Sequence, residues 1–268
     1  MKRFVKLLTI GMLVLGLAFA AIGCGEQGKP ASKTTGTDGK RPVLNVASET
    51  TYPPMEFTEG GEYVGFDMDL IRAIGEAEGF DVKIISLGFD ALIPSVQVGT
   101  ADCCISSMTI TEDRAEAIDF SDAYYTAGLI IAVGKDTEGI STRDDLQGKR
   151  LAAEVGTTGL AASNKIREKD PKTTVKVFDS VGEAFMELEK GSVDAVINDM
   201  PITHYYIKTT GKGKVKMVGE IFAAEDQYGI GVKKGNTELL EKINSGLQKV
   251  KDSGEYDKIN EKWFGDEV

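Results

Sequence analysis

The chain has 268 residues, with 31 Lys and Arg against 42 Asp and Glu, for a net charge of −11. A protein this acidic repels phosphate backbones, which excludes nucleic acid as a partner. Its 3 cysteines and 1 histidine offer no Cys/His cluster at metal spacing and a single base for any Ser-His-acid triad, so no metal site, cofactor or hydrolytic triad is expected.

Residues 1–23 start with Lys2, Arg3 and Lys6, continue as an apolar run over 7–21, and lead into "AIGC" ending at Cys24. That is the pattern of a secretory signal, too short and too one-sided for a membrane span. It also resembles a bacterial lipobox, although the usual Leu is absent. The resemblance predicts a lipid on Cys24 and an extracytoplasmic protein held at the cell membrane. An ordinary signal peptide with an incidental cysteine is the alternative. Loss of the three leader cations, with no acid among them, takes the net charge from −11 to −14. Residues 24–41 are rich in Gly, Lys, Ser and Thr and carry no apolar period. They read as a flexible tether that could reach about 60 Å when extended.

From residue 43 short apolar runs alternate with helical patterns: 43–47 then 66–78, 82–86 then 91–98, 101–106 then 112–118. This rhythm predicts an α/β fold of mostly parallel strands flanked by helices. Cys103 and Cys104 sit side by side in one such run. Neighbours on a strand face opposite ways, so the pair reads as small buried apolar residues rather than a disulfide.

The segment "GTADCCISSMTIT" (99–111) returns as "GSVDAVINDMPIT" (191–203), with Gly, Asp, Ile, Met, Ile and Thr in place. A second echo pairs "VASETTY" (46–52) with "LAAEVGT" (151–157). Two copies of one α/β unit predict two lobes. Ligands of open α/β sheets gather at the carboxyl ends of strands, so each lobe offers two such ends to a shared cleft. The first offers Glu49, Tyr52, Ser107, Thr109 and Arg114. The second offers Glu154, Thr157, Thr158 and Asp199.

Arg114 is the odd residue. Thr111 reads as a helix N-cap, and a cation in the following turn sits at the wrong end of the helix dipole. Placed beside Ser107 and Thr109, its guanidinium instead makes a carboxylate site. Asp199 occupies the repeat position of Ser107 and brings the opposite charge. Arg on one wall and Asp on the other suit a zwitterion, with α-carboxylate to Arg114 and α-ammonium to Asp199. The plainer alternatives are a surface Arg114 paired with Glu112 or Asp113, Asp199 in a turn, and Thr157 and Thr158 as ordinary caps.

At these residues the chain resembles the family 3 extracellular solute-binding proteins, the amino-acid receptors of ABC importers. "GFDMDLIRAIGEAEG" (65–79) is similar to the family signature, with Glu78 a departure, and "FDALIPSV", "DFSDAYY" and "SGEYDKINEKWFG" match as well. The resemblance covers 42–265. It implies a periplasmic-binding-protein-like fold of two lobes joined by two hinge strands. Lobe 1 would span 42–129 and 225–268 and lobe 2 130–224, with crossings near 127–133 and 223–231. It further implies that Arg114, Thr109 and Ser107 bind the ligand carboxylate, helped by Thr157 and Thr158, and that Asp199 binds the amine. Tyr52 and Phe89 would sandwich the ligand side chain, with core packing as the alternative for both. Glu49 and Glu154, at the ends of equivalent strands, favour a cationic side chain, arginine or lysine. Glutamine is the alternative, since "AIDFSDAYY" and "YIKTTGKG" lean toward glutamine receptors. A dehydratase on the same fold, with Glu154 as general acid, is the rival from another class. The implied partners are the amino acid and the importer's membrane permease, and the implied state is a monomer.

Overall fold

Two five-stranded sheets carry the fold, and both follow one plan. The computed structural model describes residues 40–265. The expected signal peptide, Cys24 and all but the last two residues of the tether lie outside the described residues. The first sheet runs in the order Asp81–Ser86, Val43–Ser48, Cys103–Cys104, Gly231–Lys233, Ile118–Phe120. The second runs Thr174–Phe178, Arg150–Glu154, Ala195–Asp199, Leu129–Gly134, Val215–Phe222. In each, the first three strands are parallel and the fourth is antiparallel to both neighbours. The molecule is therefore a two-lobed α/β protein.

The internal repeat falls on equivalent strands. Cys103–Cys104 and Ala195–Asp199 are the third strand of their sheets. Val43–Ser48 and Arg150–Glu154 each lie between the other two parallel strands. Helix Phe89–Val98 precedes the first copy and helix Val181–Glu189 the second. Cys103 and Cys104 are free and buried. Cleft residues thus come from corresponding strand ends of two similar sheets.

The chain crosses between the sheets twice. Tyr125–Thr126 and Gln227–Tyr228 pair antiparallel as a ribbon of their own. The first crossing comes earlier than the 127–133 expected from sequence, because Leu129–Gly134 is already a strand of the second sheet. Its run "LIIAVG" is buried almost throughout, which suits an interior strand and not an exposed link.

The signature acids divide their work. Asp69, in helix Phe66–Glu78, accepts from Lys262 Nζ at 2.7 Å and Trp263 Nε1 at 2.8 Å in the closing helix Glu255–Phe264. Phe66 adds ring contacts to Tyr256 and Phe264, both at 5.6 Å. Asp67 points inward instead and is fully buried. Arg41, expected to belong to the tether, docks on the body. Its Nη2 donates to the carbonyls of Gly75 at 2.8 Å and Phe80 at 2.7 Å, at the helix end where a cation is favoured.

Gly65 precedes this helix at φ +129°, and a Cβ there would overlap the Met55 carbonyl. Both the backbone conformation and the space demand glycine. Gly65→Ala should destabilise the protein by about 2–4 kcal/mol. Urea unfolding would show this as a lower midpoint at unchanged slope, and a loss under about 1 kcal/mol would contradict it.

Candidate functional site

Arg114 is placed by its own cap. The Thr111 side chain accepts from the Arg114 backbone N–H at 3.3 Å, so the short helix Glu112–Ala117 starts where the sequence predicts. The guanidinium then turns back into the cleft. Nη1 donates to the Thr109 carbonyl at 2.7 Å, and Nη2 donates to the Gly156 carbonyl of the other lobe at 2.9 Å. Phe89 lies under it, with its ring centroid 5.1 Å from the guanidinium carbon. Phe89, expected to sandwich a ligand side chain, is thus also a cation–π support. Among the described residues Arg114 makes no ion pair, with Glu112, Asp113 or any other acid. Burial works against its charge, and Asp199 is the leading charge that offsets this.

Asp199 ends the third strand of the second sheet and is 8 % exposed. Its Oδ2 accepts from Tyr228 Oη at 2.6 Å and from Tyr52 Oη at 3.0 Å. Tyr52 Oη also lies 2.8 Å from Asn198 Oδ1, so its one proton is shared between two acceptors of the opposite lobe. Burial raises the Asp199 carboxyl to about 6, against the pull of the two hydroxyls and Arg114. Sequence reasoning missed Tyr228. The sequence marks 223–231 as a crossing but gives no sign of a side chain aimed into the cleft from there. Thr109 bridges to the backbone of Tyr228, so this one residue touches the hinge ribbon, the Arg114 wall and Asp199.

Glu49 and Glu154 follow the ends of equivalent strands and are 4 % and 1 % exposed. Their carboxyls are close enough to interact directly across the lobes. Glu49 Oε1 also accepts from Thr51 Oγ1, and Glu154 Oε2 accepts from the Val181 N–H at 3.0 Å. Glu154 Oε1 has no other partner. Burial raises both carboxyls, and the mutual contact raises Glu154 further. Burial and the neighbouring acid both oppose ionising the two together.

Thr157 caps helix Thr158–Lys169, accepting from the Leu160 N–H at 3.1 Å. Gly159 follows with no room for a side chain, since a Cβ would overlap the Ile197 carbonyl. This close approach holds the helix start against the strand that ends in Asp199. On the facing wall Ser107 sits at φ 47°, in the left-handed region that non-glycine residues rarely occupy.

All ten expected site residues line one cavity: Glu49, Tyr52, Phe89, Ser107, Thr109 and Arg114 from one side, Glu154, Thr157, Thr158 and Asp199 from the other. The space left between them is about 10 Å3, room for about a single water centre. A ligand therefore needs the walls to part. Among the described residues no group of His, Cys, Asp and Glu could hold a metal ion.

Comparison with known proteins was consistent along the whole body. Bacterial extracellular solute-binding proteins, family 3, match over residues 44–266. A probable histidine-binding protein of Neisseria gonorrhoeae is 34 % identical, covering 93 % of this chain and 92 % of that protein. The ABC transporter arginine-binding protein 1 of Escherichia coli strain K12 is also 34 % identical, covering 82 % and 90 %. A solved structure of an ancestral arginine-binding protein bound to glutamine superposes with a TM-score of 0.79 at 44 % identity, covering 84 % of this chain and 99 % of that one. With a match that spans both sheets and the cleft between them, the chain belongs to the bacterial extracellular solute-binding proteins of family 3.

Proposed function

We propose that this protein is the extracytoplasmic receptor of an ABC importer, taking a free amino acid into the interlobe cleft and delivering it to the membrane permease. The observation that carries this reading is that a half-buried Arg114 and a buried Asp199, opposite charges on facing walls, line one cavity without an ion pair between them among the described residues. A zwitterion supplies the missing partner to each. Its α-carboxylate goes to Arg114 beside Ser107, Thr109, Thr157 and Thr158, and its α-ammonium goes to Asp199. We take the two sheets as the cores of two moving lobes, hinged at the Tyr125–Thr126 and Gln227–Tyr228 ribbon. A lipid on Cys24 and the tether would hold this monomer near its permease.

The ligand we favour is basic, arginine or lysine. Glu49 and Glu154 meet at the cavity wall with no cation of their own, and a ligand ammonium or guanidinium would complete them. Glutamine is the second reading, because a relative 44 % identical is known bound to glutamine. We read the cleft as one for binding without chemistry. Arg114 and Asp199 hold both ends of an amino acid, which leaves Glu154 the side chain to recognise and no reacting bond to protonate.

Calorimetry of ligand-stripped protein against the twenty amino acids tests the reading. Arg114→Ala and Asp199→Ala should each weaken the best ligand by about 3–5 kcal/mol, because each leaves a desolvated charge without its partner. Losses under about 1 kcal/mol in both would mean rim charges and a different site.

Specificity is tested separately by Glu49→Gln combined with Glu154→Gln. The double variant should lose at least about tenfold in arginine affinity while glutamine affinity holds or rises, since an amide gains nothing from the two acids. Full arginine affinity in the double variant, or a wild-type preference for glutamine, would overturn the basic-ligand reading.

A further inference from the structure

Behind the Ser107 wall lies a second pair of touching acids that the ligand reading does not use. Glu56, in strand Glu56–Glu59, and Asp67, in the first turn of helix Phe66–Glu78, are both 0 % exposed. Ser107 joins them, its N–H on Asp67 and its hydroxyl on Glu56, and the two carboxyls are close enough to interact directly. Neither takes part in an ion pair among the described residues. Asp67 Oδ2 accepts from the Ser107 N–H at 2.7 Å and from Tyr124 Oη at 2.8 Å. Among the described residues Asp67 Oδ1 is buried without a hydrogen-bond partner. Glu56 Oε1 accepts from Ser106 Oγ at 2.9 Å, and Glu56 Oε2 lies 3.3 Å from Ser107 Oγ. Ser106 Oγ in turn accepts from the Glu49 N–H at 3.0 Å.

Resting on the receptor reading above, we propose that Glu56 and Asp67 share one proton as a carboxylic acid and carboxylate, and that this pair positions Ser107 and Glu49 for ligand binding. Two ionised carboxylates cannot touch in a site without water or a cation. A proton between them also supplies the donor that the buried Asp67 Oδ1 otherwise lacks. Asp67 is the carboxylate. It receives two further hydrogen bonds and sits where the helix dipole favours negative charge. Glu56 is the acid, turning its O–H to Asp67 and its remaining lone pairs to the serine hydroxyls. The other ionisable groups around the pair are Glu49, Tyr124, Tyr125 and Tyr256. None is a cation, so nothing nearby removes the need for the proton.

The consequence reaches the cleft through two residues. Ser107 holds φ 47° because its N–H and hydroxyl are both committed to the pair. Glu49 is held through Ser106. One buried proton therefore fixes both loops that the first lobe presents to the cavity. Glu56 and Asp67 are positioning residues, since neither lines the cavity.

The test compares wild type, Glu56→Gln and Glu56→Ala. Each is titrated with L-arginine by calorimetry, and its urea unfolding is followed between pH 5 and pH 8. Glu56→Gln should keep arginine affinity within about threefold, because the amide N–H replaces the acid O–H and its carbonyl still accepts from the serines. Glu56→Ala should lose at least about tenfold, since it orphans Asp67 Oδ1 and frees Ser107. The pH profile reads the proton itself. A carboxyl protonated in the folded state and ionised in the unfolded one makes folding take up a proton. Stability is then greatest below the ordinary carboxylate pKa and falls as pH rises toward the raised value, by up to about tenfold in the folding constant per pH unit. Wild type should show this extra slope and Glu56→Gln should lack it. A folded Glu56→Ala with wild-type affinity would overturn the positioning role. An identical slope in wild type and Glu56→Gln would overturn the shared proton. If Glu56→Ala does not fold, the slope comparison decides. If wild type binds no amino acid, the receptor reading fails, while the slope still reports on the pair.

Discussion

A guanidinium held partly out of water needs a counter-charge, and among the described residues Arg114 meets only neutral acceptors. Its two hydrogen bonds go to backbone carbonyls, one in each lobe. They engage two of its five N–H donors and leave its charge standing. The effective cost of such burial is several kcal/mol per ion. Asp199, on the far side of the same cavity, carries the mirror problem, with two tyrosine hydroxyls and no cation in contact. Much of the local architecture serves to keep them apart and aimed: the cation–π seat on Phe89, the Thr111 and Thr157 caps, and the Gly159 close approach.

The acids follow a different logic. Glu49 with Glu154, and Glu56 with Asp67, are two pairs in which burial leaves no room for two charges. The first spans the lobes and faces the cavity; the second lies inside one lobe and faces away from it. On our reading the cavity pair releases its proton to solvent when a cationic ligand takes its place. The inner pair keeps its proton, because no ligand reaches it. A single chemical device thus serves recognition in one place and positioning in the other.

The repeat is legible because it is local in sequence, and it leads to the strand ends that line the cavity. From residue spacing alone it puts Arg114 and Asp199 on facing walls and makes Glu49 and Glu154 equivalent. Tyr228 is not legible, because its partner lies 29 residues away across the hinge and a buried tyrosine looks like core. The inner acid pair is hidden for a related reason. "GFDMDL" reads as an amphipathic helix start, and nothing in it says that Asp67 turns in while Asp69 turns out to Trp263. Arg41 ends a stretch of tether composition, yet two carbonyls at a helix end capture it. Each case is a polar side chain placed by a distant backbone or hydroxyl, which periodicity does not record.

On the proposed reading, the pairing of Arg114 with a ligand carboxylate is the contact on which recognition turns. Titrating wild type and Arg114→Ala with arginine and with agmatine, its decarboxylated analogue, isolates that one contact as a double-mutant cycle. Wild type should prefer arginine by about 100-fold or more, a difference of at least about 2.7 kcal/mol, and Arg114→Ala should bind the two ligands nearly alike. The same preference for arginine in both proteins would show that the carboxylate is held elsewhere and would contradict this pairing.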